Sequence, residues 1–254
     1  MSHAKLLTCF AAACLLGVAC SEKTTQGMNK YPATTRQNTS FSSGKDEFQD
    51  LKQLHCTDLR GGDIMLKILD VNSKFNRQIG RVQQLRGYSN YNIVHAGIME
   101  DTACIIEAEE SGLEEQSLLE KNIHVSYIVY RANNPKMAEE VTREAQLLYY
   151  THLQRKSVRY NKLGLLPSLF GRGKPKSAKK MKKIYHKIIS GRNNPMFCSQ
   201  FVVYLYQWIA EQLGISAKEI FDRNDSKVPP AKLAEMLENN TFFTEVGYII
   251  RDDH

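Results

Sequence analysis

Several things this chain has little of narrow its function. It contains one Trp in 254 residues, which argues against a surface that stacks carbohydrate rings. Its six cysteines form no Cys-x-x-Cys pair, and no His-x-x-x-His accompanies them, so no zinc-type ligand set is present and no metal or organic cofactor is expected. No internal repeat is visible, which sets aside solenoids and propellers. Beyond the first twenty residues there is no apolar run of the roughly 20 residues that a spanning helix needs.

What is present begins at the N-terminus. One Lys (Lys5) precedes an almost wholly apolar or small stretch, Leu6 to Ala19, too short to span a bilayer and laid out like a secretory signal. It ends Leu16-Gly17-Val18-Ala19-Cys20 before polar Ser21-Glu22-Lys23. This resembles a bacterial lipobox, with residues 1–20 as signal peptide and Cys20 as the lipidated residue. Simple cleavage after Ala19, with secretion of a soluble protein, is the alternative, since Gly17 and Ala19 are both small. Residues 21–48 are rich in Ser, Thr, Gln and Asn and poor in large aliphatics. Such a segment cannot bury enough apolar area to offset its ordering entropy, so a disordered tether is expected, with a reach on the order of 30 Å. Residues 49–254 are then expected to form one domain by length.

Within that domain the periodicities alternate between sheet and helix. Gly61-Gly62-Asp63 marks a turn into a strand over Ile64 to Leu69. Residues 70–91 read as a short helix and a loop. Asn92 to Met99 and Ala103 to Ala108 read as a β-hairpin across Glu100-Asp101-Thr102, and Ile123 to Arg131 is a further β-branched and aromatic strand. Helices are expected over Met137 to Leu153 and Phe197 to Leu213, the second with a core stripe of Phe201, Val202, Leu205, Trp208, Ile209 and Leu213 and a stop at Gly214. A short helix, Ala231 to Leu237, and a last strand, Thr241 to Arg251, complete the order. Strands cluster without regular β-α alternation, which predicts an α+β fold with an antiparallel sheet packed against helices. Cys56 and Cys104 are either a disulfide or two small buried hydrophobes; spacing alone leaves both open.

Three residues carry the chemistry. Cys198 stands at the first turn of a helix, where unsatisfied N–H groups and the helix dipole favour thiolate. His95 lies mid-strand. Glu107 interrupts the apolar strand Cys104-Ile105-Ile106-Glu107-Ala108, and a carboxylate buried there needs a donor. If the hairpin turns symmetrically about Asp101, His95 and Glu107 face each other directly on one side of the sheet. A nucleophile, a base and a group that orients the base would then be in place.

The ordered set Gly62-Asp63-Ile64, His95-Ala96-Gly97-Ile98, Ile105-Ile106-Glu107-Ala108, Tyr160-Asn161, Phe197-Cys198-Ser199 and Pro230-x-x-Leu233 resembles the permuted branch of the NlpC-type papain-like superfamily. More narrowly, it resembles its YiiX/YaeF-like members, relatives of lecithin retinol acyltransferase. The resemblance covers roughly residues 59–250. It implies a circularly permuted papain-like fold, with the Cys helix C-terminal to the His hairpin and Cys198, His95 and Glu107 as catalytic residues. The implied activity is that of a cysteine amidase or peptidase working through a thioester. Where the family pattern has an acid after the Tyr, this chain has Asn161, so Tyr160 and Asn161 are assigned a structural role. Gly62-Asp63 is read as a strand-entry turn. An envelope peptide or peptidoglycan-related amide is the leading substrate. A lipid acyl hydrolase or acyltransferase, or a silent binding module, is the alternative.

One further segment stands apart. Residues 172–192 hold nine Lys or Arg and no acid, more than the net +7 of the whole chain. Export makes nucleic acid an unsuitable partner. An anionic membrane surface or an acidic envelope polymer fits better, and a solvated loop with one amphipathic turn is the plain reading. Nothing in the sequence indicates an oligomeric state.

Overall fold

The computed structural model describes residues 52–69, 73–120, 125–162, 164, 168–169, 171 and 173–250. The signal segment 1–20 with Cys20, the tether 21–48 and Arg172 of the basic segment lie outside the described residues. Among the described residues, eight strands and six α-helices follow in the order β1 (Ile64–Ile68), α1 (Lys74–Leu85), β2 (Ile93–Met99), β3 (Cys104–Glu109), β4 (Gly112–Ser117), β5 (Tyr127–Ala132), α2 (Pro135–Arg155), β6 (Val158–Tyr160), α3 (Ala178–Ile189), β7 (Asn194–Met196), α4 (Cys198–Gln212), α5 (Ala217–Ile220), α6 (Pro230–Glu238) and β8 (Phe243–Ile249). The main sheet runs β4-β3-β2-β1-β5-β8, and each of its neighbouring pairs is antiparallel. The expected class, α+β with an antiparallel sheet against helices, is the one found.

Differences from the sequence reading have local causes. The expected strand over Ile123 to Arg131 begins only at Tyr127, and Ile123 and His124 lie outside the described residues. β4 was not expected, because Glu114, Glu115 and Gln116 break any apolar alternation. Those charges suit an edge strand, where they discourage further pairing. No disulfide joins Cys56 to Cys104 among the described residues, and both are half-buried.

The hairpin register also departs from expectation. Gly97, not His95, pairs with Glu107, and Ile98 pairs with Ile106. The reason lies in the turn. The Asp101 carboxylate accepts the N–H groups of Ala103 and Cys104 at 2.7 and 2.8 Å, while Glu100 N–H donates to the Cys104 carbonyl at 2.8 Å. That closes a three-residue loop, Asp101 to Ala103, centred on Thr102 rather than Asp101. A shift of two residues preserves the face, because strand side chains alternate with period two. Glu107 therefore becomes the diagonal neighbour of His95.

α4 is the centre of the molecule. A single apolar stripe was expected, yet every residue from Cys198 to Ala210 is buried. The helix packs against β2 on one side and α2 on another. A helix covered all round must satisfy its polar side chains internally, since each orphan costs about 1–3 kcal/mol. Ser199 Oγ donates to the Val228 carbonyl at 2.7 Å and Tyr204 Oη to Met181 at 3.1 Å. Gln207 Nε2 donates to Phe221 and Arg223 at 2.8 and 2.7 Å, and Tyr206 Oη donates to Gly62. These bonds fix the rotation and height of α4, and with them the position of Cys198. Gln83 does similar work at the edge: its amide donates to Tyr91 and Ile93 at 3.1 and 2.8 Å and its oxygen accepts Ala231 N–H at 3.0 Å. α1, the start of β2 and the first turn of α6 are thereby locked together.

Candidate active site

Cys198 is the first residue of α4. Phe197 precedes it in extended backbone (φ −111°, ψ 169°) and supplies no side-chain cap. The N–H groups of the first turn therefore keep the unsatisfied, partly positive character of a helix start. The sulfur itself is buried and lies in hydrogen-bonding reach of the His95 imidazole.

His95 is 6% exposed and Glu107 1%. Nε2 of His95 stands 2.9 Å from Glu107 Oε2 and 3.4 Å from Glu109 Oε1. The first contact is an ion pair by distance, but its N–H does not lie along the line, and neither atom has a well-formed hydrogen bond. Electrostatic pairing, rather than a linear bond, thus holds the ring. Gly97 stands between the two side chains on the same face. A Cβ there would come within 2.6 Å of Ile105 Cδ1, so the absent side chain lets Ile105 pack down over the strand.

The charges follow from the neighbours. Burial disfavours the His95 imidazolium, but the Cys198 sulfur and the Glu107 carboxylate outweigh it and hold the imidazole well above its ordinary range. Burial pushes the Glu109 carboxyl up, with His95 opposing. The result is a ring that stays protonated between a sulfur and two carboxylates.

Tyr160 completes the cluster, and the structural role assigned to it from the sequence understates its position. β6 runs parallel to β7 with Tyr160 beside Met196, and Asn161 N–H donates to the Met196 carbonyl at 2.8 Å. This pairing brings the phenol near the Cys198 sulfur; burial first, then the charges of Cys198 and Glu109, push its pKa far up. It stays a protonated donor throughout the working range. Asn161 has the structural part: its side chain accepts Gly164 N–H at 2.8 Å. Substituting Tyr160→Phe removes one donor from the sulfur and should slow alkylation of Cys198 near neutral pH severalfold without unfolding the chain. Unchanged alkylation kinetics would show that the phenol does not act on the thiol.

The structure therefore brings together the three sequence-predicted residues, Cys198, His95 and Glu107. It adds Glu109 and Tyr160, which sequence reasoning missed. Glu109 had a signal, since it lies two residues beyond Glu107 and so shares its face. Tyr160 had none beyond the motif, because a three-residue strand carries no usable periodicity. Asp63 serves the fold, as expected of a strand-entry turn. It is held by Arg131 Nε and Nη2 at 2.8 and 2.7 Å and by Arg60 N–H at 2.9 Å.

The donor atoms of His95, Glu107 and Glu109 lie within 4.8 Å of one another, a set that could ligate a divalent cation. A cation there would take the nitrogen that now faces both carboxylates. Metal ligation and orientation of the imidazole toward Cys198 by ion pairing are therefore competing uses of one atom. No protein-family model matches the chain, and comparison with curated protein sequences gave no significant match.

Proposed function

We propose that the chain is an exported cysteine hydrolase of the circularly permuted papain-like kind, cleaving an amide bond in envelope peptide or peptidoglycan-related material. The observation that carries this is the buried His95 imidazole, lying between a sulfur at an uncapped helix start and a paired carboxylate. With Nε2 turned to Glu107, Nδ1 is the nitrogen left for Cys198. The thiolate attacks the carbonyl carbon, and N–H groups at the start of α4 hold the oxyanion. The imidazolium protonates the departing amine, leaving a thioester. Water then attacks the thioester, giving its proton to His95, and collapse releases the acid and restores the thiolate and imidazolium. Export and anchoring through Cys20 rest on the signal segment alone.

A second reading, a lipid acyl hydrolase or acyltransferase, is favoured by the cationic helix α3, which ends nine residues before Cys198. One experiment separates these. The full chain is incubated with envelope extract in EDTA, quenched in acid, and the Cys198 peptide is weighed. A peptidyl adduct absent from Cys198→Ala is expected, whereas a fatty-acyl mass selects the second reading. No adduct under any condition leaves a silent binding module. An adduct or product release that requires a divalent cation hands the site to the metal reading.

A further inference from the structure

The basic segment is a three-turn helix where a loop with one amphipathic turn was the plain expectation. One face of α3 belongs to the core: Met181 and Ile188 are buried, and Tyr185 stacks on Trp208 with ring centroids 5.1 Å apart. At 100° per residue, Lys179, Lys180, Lys182, Lys183, His186 and Lys187 occupy the opposite arc, and all six are exposed. None of the five lysines has an ion-pair partner among the described residues. Lys176, just ahead of the helix, is by contrast consumed internally by Asp225. Like charges three and four residues apart oppose helix formation, so this face carries a cost that an anionic partner would relieve.

A second feature adjoins it. Leu147, Tyr150 and Leu153 on α2 are 43%, 52% and 47% exposed. α3 packs on α2, with the Tyr185 phenol beside the Glu144 carboxylate and the Arg155 stem over Gly191. Leu147 follows Glu144 by three residues and so sits on the adjoining flank, Tyr150 lies one step further round, and Leu153 falls half a turn from Glu144. A cationic helix face beside an exposed leucine and a tyrosine is the combination that seats a protein in a lipid interface: cations reach headgroups, apolar groups enter the acyl boundary, and an aromatic with a polar tip sits between. A soluble polyanion would use the charges but leave the apolar stripe without a purpose.

We propose that α3, with the flank of α2, docks the protein on an anionic phospholipid bilayer. Docking there would keep Cys198, one short segment downstream, close to the lipid surface. The inference stands apart from the thiol chemistry, because binding is read without turnover.

The test compares full chains that all carry Cys20→Ser to exclude lipidation. They are sedimented with phosphatidylcholine vesicles and with vesicles containing about 30% phosphatidylglycerol. The parent should prefer the anionic vesicles, and added salt should weaken that preference. Neutralising four exposed lysines (Lys179→Gln, Lys182→Gln, Lys183→Gln, Lys187→Gln) should lower binding to anionic vesicles by about tenfold or more. A separate variant, Leu147→Ser, should lower vesicle binding severalfold while leaving binding to soluble polyphosphate unchanged. Equal binding by the lysine variant, or no preference for anionic lipid, overturns the proposal. Tighter binding to polyphosphate or duplex RNA than to the vesicles, with the leucine variant unaffected on both, overturns it in favour of a polyanion.

Discussion

Iodoacetamide should label Cys198 on the order of 30- to 100-fold faster in the parent than in His95→Ala at pH 6.5. An unassisted thiol, with a pKa of about 8.5, is roughly 1% thiolate at that pH. A cation beside a thiol favours the reactive thiolate, though a less basic sulfur is also a weaker nucleophile, which trims the ratio. His95→Ala also opens space beside the buried sulfur, which works against the expected ratio. The pH profile gives a second readout. Burial works against the His95 imidazolium, yet the Cys198 sulfur and Glu107 together raise its pKa well above the usual value. A raised folded value means that the stabilisation from the charged ring is fully present below about pH 6.5. It is lost only as the pH climbs through the higher folded value. Parent labelling should therefore be nearly flat across neutral pH, whereas labelling of His95→Ala should rise steeply toward pH 8.5. Glu107→Gln, which keeps the shape and removes the charge, should fall between the two. Identical profiles for parent and His95→Ala would remove the proposed chemistry and leave a binding protein.

Removing the guanidinium that holds Asp63 should produce the largest loss of stability away from the active site. The Asp63 side chain is 1% exposed and that of Arg131 22%. Arg131 makes two bonds to the carboxylate and a third, at 2.8 Å, to the Asp58 carbonyl. Arg131→Met retains most of the apolar stem but leaves a buried carboxylate with one backbone donor, Arg60 N–H. Stranding a buried charge in this way costs about 3–5 kcal/mol, read as a lower urea midpoint at pH 7. The double variant Arg131→Met with Asp63→Asn should regain part of the loss, because the stranded charge has gone. A change in the single variant below about 0.5 kcal/mol would reduce the pair to the worth of an ordinary surface ion pair.

Some of this molecule is settled by local pattern. The hairpin strands, the two long helices and the position of Cys198 at a helix start follow from period-two and period-3.6 spacing and from Pro195 and Gly214 as punctuation. That His95 and Glu107 share a face is likewise local, since parity survives any even shift of register. Which acid stands where could not be read locally. Asp101 closes the turn one residue later than symmetry suggests, making Glu107 the diagonal neighbour and bringing Glu109 within 3.4 Å of the ring.

Tertiary packing decided the rest. Nothing in Val158 to Tyr160 announces a strand. It forms because β7 lies parallel beside it, and only that long-range pairing delivers the Tyr160 phenol to Cys198. α4 reads as a one-sided amphipathic helix until the sheet and α2 close around it. Its Ser, Tyr and Gln side chains, which look like a solvent face in the sequence, are then consumed by buried carbonyls. By itself the sequence determined the elements and the residue types that can react. Hydrogen bonds between segments far apart in the chain decided which of those residues meet, because contacts of that kind leave no periodic trace in the chain.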